Sequence, residues 1–187
     1  MRYINPWFQG LAFWLVLMPG AALPQSAAAT KEMDLATFLV AYRCGIVNRL
    51  DDLFRSTDPA MKTHRWLAIT VEGGVQSYVQ CIFDDESPQM LCEAASGFYG
   101  PEKGKERTLW LSFPAKASLA SLGFDTSKED GNYKQFIPSV RAENLTAVAD
   151  LMLTALYLSY GARNTTPITL DWQHGPQIHL QPCLPVS

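Results

Sequence analysis

Residues 78–96 read YVQCIFDDESPQMLCEAAS. In the first half, Val79, Cys81 and Phe83 alternate with Tyr78, Gln80 and Ile82, the period-2 pattern of a half-buried strand. In the second half, Met90, Cys92 and Ala94 alternate with Leu91 and Glu93. The acidic run Asp84-Asp85-Glu86 and Pro88 stand between as turn material. The antiparallel pairing that best uses both apolar sets sets Phe83 against Met90 and Cys81 against Cys92. Directly opposite residues hold their Cβ atoms about 4.5–5.5 Å apart, close to the roughly 3.8 Å that a disulfide needs. A redox pair would call for CxxC, and these cysteines are too far apart in sequence for that. A metal site would call for further ligands at suitable spacing. The pair reads as a staple.

Working outward, RWLAITVE (65–72) is rich in strand formers and closes at Gly73-Gly74, so residues 65–98 predict a three-strand antiparallel meander. Upstream, Asp34 is an N-cap for a helix in which Leu35, Phe38, Leu39, Tyr42, Ile46, Leu50 and Leu53 share one face. The STDP of residues 56–59 ends it. Downstream, GPEKGKER (100–107) reads as a charged loop and LWLSF (109–113) as a strand or extended lead. AKASLASL after Pro114 predicts a short helix stopped by Gly123. YKQFIP (133–138) predicts a strand, and Ala142 to Tyr160 a long helix with Gly161 as its C′ residue. Residues 168–180 predict a terminal hairpin around Gly175-Pro176. Strands come grouped, without regular alternation with helices, so the predicted class is α+β with a mostly antiparallel sheet.

The N-terminus sets the redox context. Arg2 precedes the apolar run Trp7–Leu17, which is short for a bilayer, and Ala27-Ala28-Ala29 offers a small-x-small cleavage site. Residues 1–29 therefore read as a secretory signal peptide and 30–187 as a single domain. Export implies a periplasmic or secreted location, with no stable membrane insertion after cleavage. The full chain carries a net charge of −3, and losing Arg2 makes it more negative. That gives no electrostatic reason to expect a nucleic acid or an anionic membrane as partner. Four cysteines in an exported chain point to disulfides. Cys44 falls on the side of the first helix opposite its apolar face, beside Asn48 and Asp51. An exposed thiol there needs a partner, and Cys183 in the tail QPCLPVS supplies it. The tail is thus expected to cross the outer side of the helix.

Motifs for chemistry are sparse. The histidines are His64, His174 and His179, without HExxH. Ser118 and Ser121 lack a GxSxG setting. No phosphate-cradling glycine loop occurs, and Pro88 interrupts the acidic run as a calcium loop. Asn144 and Asn164 match the glycosylation acceptor, a weak signal. Trp66, Trp110 and Trp172 all fall in predicted strands, where they could line a groove or build the core. No catalytic residue, cofactor or metal is assigned.

From Trp66 to about Ala162 a series of short motifs stands in order. These are Tyr78-Val79-Gln80, then Glu93 followed by Ala94, Ala95, Ser96, Gly97 and Phe98, then Leu122-Gly123-Phe124, Asn132-Tyr133, Pro138, and a final helix ending in Tyr160-Gly161. This order resembles the TY-Chap domain group, related to YbjN and to type III secretion chaperones. The resemblance implies a secretion-chaperone-like fold with helices on one face of the sheet. It also implies a non-enzymatic role, binding another protein, often as a homodimer. Two other readings stay open: a small exported hydrolase using His64, His174 or His179 with a carboxylate such as Asp171, and an envelope structural protein without a ligand.

Overall fold

The computed structural model describes residues 32–61, 65–101 and 110–183. The expected signal peptide, His64, most of the charged loop and Leu109 lie outside the described residues. Helix α1 spans Leu35–Arg55. The Asp34 carboxylate caps it by accepting from the Thr37 N–H at 2.8 Å, which satisfies one of the otherwise unpaired donors of the first turn. Phe38, Ala41, Tyr42, Ile46, Leu50 and Leu53 are its buried side chains, three or four residues apart. Their burial, at about 1.5–3 kcal/mol for each large aliphatic or aromatic side chain, is what holds the helix to the core.

The strands are β1 (Trp66–Val71), β2 (Tyr78–Phe83), β3 (Met90–Ala94), β4 (Tyr133–Ile137), β5 (Ile168–Trp172) and β6 (Ile178–His179). They form one antiparallel sheet in the order β4-β3-β2-β1-β5-β6. Phe83 pairs with Met90 and Cys81 with Cys92. The Asp84 N–H donates to Gln89 O, and the Ala95 N–H to Tyr78 O. The cysteines therefore fall on a non-hydrogen-bonded position, where opposing chains approach most closely. Their Cα atoms are 4.0 Å apart and joined by a disulfide.

Helix α2 (Phe113–Ser121) and helix α3 (Leu145–Tyr160) complete the layer with α1. Of the strand and the extended lead expected at 109–113, the strand is corrected: the described residues 110–112 lead into the helix outside the sheet. Ser112 caps α2 and Pro114 sits in its first turn, drawing Phe113 into the helix. Trp110 consequently lies in a bend outside the sheet. The long helix begins at Leu145, after a 3-10 turn over Ala142–Asn144. It ends at Gly161, whose φ of 71° is the left-handed cap that glycine adopts without strain. All three helices cover one sheet face, and the protein is α+β. Arg43 and Asp150 bind α1 to α3 through two hydrogen bonds, at 2.6 and 3.0 Å. The Ser159 hydroxyl ties α3 to α2 by donating to Ala115 O.

The C-terminal tail returns over α1. Cys183 donates its N–H to Ala41 O at 2.8 Å and is disulfide-bonded to Cys44, with Cα atoms 6.1 Å apart. Gly45 leaves room for a tail side chain: a Cβ there would stand 2.7 Å from Leu180 Cδ1, so the end of that leucine would have to shift.

Candidate functional site

Alternation along the strands assigns every side chain to one of two faces. Leu67, Ile69, Val79, Cys81, Met90, Cys92 and Ala94 are fully buried beneath the helices. The opposite face carries no helix among the described residues, and the pair register orders it into rows. One row runs across four strands: Phe136 opposite Leu91, Leu91 opposite Ile82, and Ile82 opposite Trp66. All four are apolar, and Phe136 is 67% exposed. The next row is polar: Lys134, Glu93, Gln80, Ala68 and Asp171. There Gln80 Nε2 donates to Glu93 at 2.7 Å, and Lys134 Nζ stands 3.5 Å from the same carboxylate. A third row holds Tyr78, Thr70, Thr169 and His179. The Tyr78 hydroxyl accepts from Asn132 Nδ2 at 2.8 Å, and desolvation by burial raises its pKa.

The apolar row ends in a concavity of about 440 Å³. Its floor is Ile82, Leu91 and Phe136, and its wall is the β2–β3 hairpin tip with Asp84, Asp85 and Glu86. The tip is folded on itself. The Asp84 carboxylate accepts from the Ser87 hydroxyl at 2.6 Å and from the Glu86 N–H at 3.0 Å, and these bonds hold it below the ordinary aspartate range. Asp85 pairs with Arg65 at 3.3 Å. Arg65 also donates to Leu53 O and Phe54 O at the end of α1, both at 3.2 Å, so it fastens the tip to the helix layer.

The other residues singled out from sequence are dispersed. His179 Nδ1 stands 3.7 Å from Glu72, with both side chains more than half exposed. His174 sits in the β5–β6 turn at φ 59°. Asp171 lies opposite Ala68 in the polar row. The Ser118 and Ser121 hydroxyls donate to the Pro114 and Ser118 carbonyls. Asn144 accepts from the Arg141 N–H and donates to Ser139 O, a turn-forming role. Asn164 accepts from the Met33 N–H. Trp172 is buried opposite Leu67 on the helix side, with the Arg49 guanidinium 4.0 Å from its ring. Trp66 is on the open face, so the tryptophans do not share a groove. Among the described residues, no group of three or more His, Cys, Asp or Glu side chains is placed to hold a metal ion. No described helix is long and apolar enough to cross a membrane.

The apolar row escaped the reading of the sequence. Its signal was present in part, since Ile82 and Leu91 are apolar residues on the outward side of their strands. Comparison of the chain with family models, with curated proteins and with solved structures finds no match in any of the three. Geometry therefore carries the functional reading.

Proposed function

We propose that the protein is a non-enzymatic exported module that binds another polypeptide on the open face of its sheet. The observation that carries this reading is the row Phe136, Leu91, Ile82 and Trp66. Apolar side chains contiguous across four strands, on a face that no described helix covers, are the pattern of an interaction surface rather than of scattered exposure. The neighbouring polar row supplies hydrogen-bonding groups for a rim. The two disulfides fit an oxidising compartment, in keeping with the signal peptide read at residues 1–29. On this reading the protein is chaperone-like, in the sense of the TY-Chap and YbjN resemblance, and the periplasm or the exterior is its workplace.

The test is site-specific photo-crosslinking of the exported protein with a benzophenone side chain at position 82 or 91, with Leu158 on α3 as control. Leu158 is 43% exposed and lies in the helix layer. A discrete cross-linked polypeptide from positions 82 and 91, absent from 158, is the expected result. Equal labelling from 158, or the bare protein alone from every position, would overturn the reading.

A further inference from the structure

The apolar row has a direction and a charged end, and both bear on what it takes up. The concavity floored by Ile82, Leu91 and Phe136 is walled by the hairpin tip. Asp85 is answered there by Arg65. The Asp84 carboxylate accepts from the Glu86 N–H and the Ser87 hydroxyl within the turn, but among the described residues neither Asp84 nor Glu86 has a cation at ion-pair distance. Two carboxylates without a cation partner among the described residues therefore overlook an apolar floor, and the chain as a whole is acidic, at −3. Across the outer edge of β4, the Asp125 N–H donates to Lys134 O at 2.7 Å, in an isolated antiparallel bridge. By the alternation of an antiparallel strand, Phe136, two residues on, also turns its N–H and carbonyl to that edge. The bridge at Asp125 and Lys134 stops short of it. Among the described residues no strand or bridge pairs with this edge at Phe136, so it lies open there beside an apolar floor and an acidic wall.

We propose that this end of the open face takes an extended segment of a partner polypeptide that carries an apolar side chain flanked by lysine or arginine. The inference rests on the binding-module reading above and names the chemistry of its partner. The segment's backbone meets the β4 edge at Phe136, in the manner of a strand added to a sheet edge. Its apolar side chain enters the concavity over Ile82 and Leu91. Its cationic side chain reaches Asp84 and Glu86, which remain solvent-accessible, so the pairing sets specificity more than affinity.

Three labelled heptapeptides test this against the full exported chain by fluorescence anisotropy: alternating lysine and leucine, alternating glutamate and leucine, and alternating lysine and serine. The lysine–leucine peptide is expected to bind best and to weaken as salt screens the pair. Phe136→Ser and Glu86→Lys lie on the surface and leave the core intact. Each is expected to weaken binding about tenfold, which corresponds to about 1.4 kcal/mol, with an unchanged melting temperature. Equal binding of the glutamate–leucine peptide would remove the charge argument, and equal binding of the lysine–serine peptide the apolar one. Either result, or wild-type binding by Phe136→Ser, overturns the proposal. A concentration-dependent dimer that is lost in Phe136→Ser would assign the groove to a second copy and overturn it as well. If positions 82 and 91 still cross-link a polypeptide while the lysine–leucine peptide fails, the partner chemistry is wrong and the binding-module reading stands. If both fail, both fall.

Discussion

The two disulfides sit at opposite extremes of the same fold. Cys81–Cys92 joins residues 11 apart in sequence, within a hairpin that backbone hydrogen bonds already close, and both cysteines are fully buried. Cys44–Cys183 joins residues 139 apart, and Cys44 is exposed on the outer side of α1. In the chain-entropy model the short loop contributes about 3 kcal/mol and the long one about 5 kcal/mol, both upper figures. Accessibility runs the other way, because a reductant reaches Cys44 without opening the core. The bond that restrains the unfolded chain most is thus the one most easily lost. The buried bond is protected by the element it serves.

The largest expected effect follows from the long loop. Cys44→Ser with Cys183→Ser is expected to lower stability in denaturant by up to about 5 kcal/mol. Hydrogen exchange should speed up at the Cys183 and Leu180 amides, which now donate to Ala41 O and Ile168 O. Unchanged melting with both amides still protected would show that the tail is held by packing alone, and the contrast between the bonds would collapse.

Next comes the buried bond. Cys81→Ala with Cys92→Ala is expected to cost about 3 kcal/mol from loop entropy, plus a smaller packing loss beneath the helices. The contrast is sharpest in a timed reduction of the native protein with alkylation and peptide mapping. Cys44 and Cys183 should be labelled first, and Cys81 and Cys92 only on the timescale of global unfolding. Simultaneous labelling of all four would contradict the difference in access.

How far the sequence carried the fold follows the same divide between local and distant. The hairpin was legible because Val79, Cys81 and Phe83 alternate over a few residues, and a one-residue slip would turn the whole set outward. The position of Cys44 was legible from the helical wheel. The row Phe136, Leu91, Ile82 and Trp66 was not, because four strands contribute one residue each. Their adjacency depends on β4 docking beside β3 after an intervening helix, which no local pattern states. Trp66 and Trp172 looked equivalent until the pairing of Leu67 with Trp172 set them on opposite faces. Of the strand and the extended lead expected at 109–113, the strand failed for a local reason. Ser112 and Pro114 are helix-start signals that outweigh the apolar run Leu109-Trp110-Leu111.

A smaller effect probes the seat of the tail. Gly45→Val inserts side-chain atoms where even a Cβ would lie 2.7 Å from Leu180 Cδ1. With the disulfide intact, overpacking is expected to cost about 1–3 kcal/mol. In the Cys44→Ser, Cys183→Ser background the tail can lift, so the cost should fall and the two changes should be non-additive in a double-mutant cycle. Additive costs would mean that Leu180 is fixed by β6 and not by the bond.

The smallest effect lies at the hairpin tip, where a turn does locally what the buried disulfide does covalently. The Ser87 hydroxyl, first, and the Glu86 N–H hold the Asp84 carboxyl below its usual range. A depressed folded pKa contributes stability that is present above the unfolded value of about 3.9 and is lost as pH falls through the folded value. Ser87→Ala should therefore raise the Asp84 midpoint, followed by carboxyl-carbon NMR. It should lower stability slightly at neutral pH, and the difference from wild type should vanish once Asp84 is protonated in both. The Cys81–Cys92 bond masks the turn by holding the same two strands in register. With Cys81→Ala and Cys92→Ala in place, the Ser87→Ala loss at neutral pH should grow. An Asp84 midpoint unmoved by Ser87→Ala would show that the backbone donor alone sets its charge. A Ser87→Ala loss identical with and without the bond would show that turn and staple act independently.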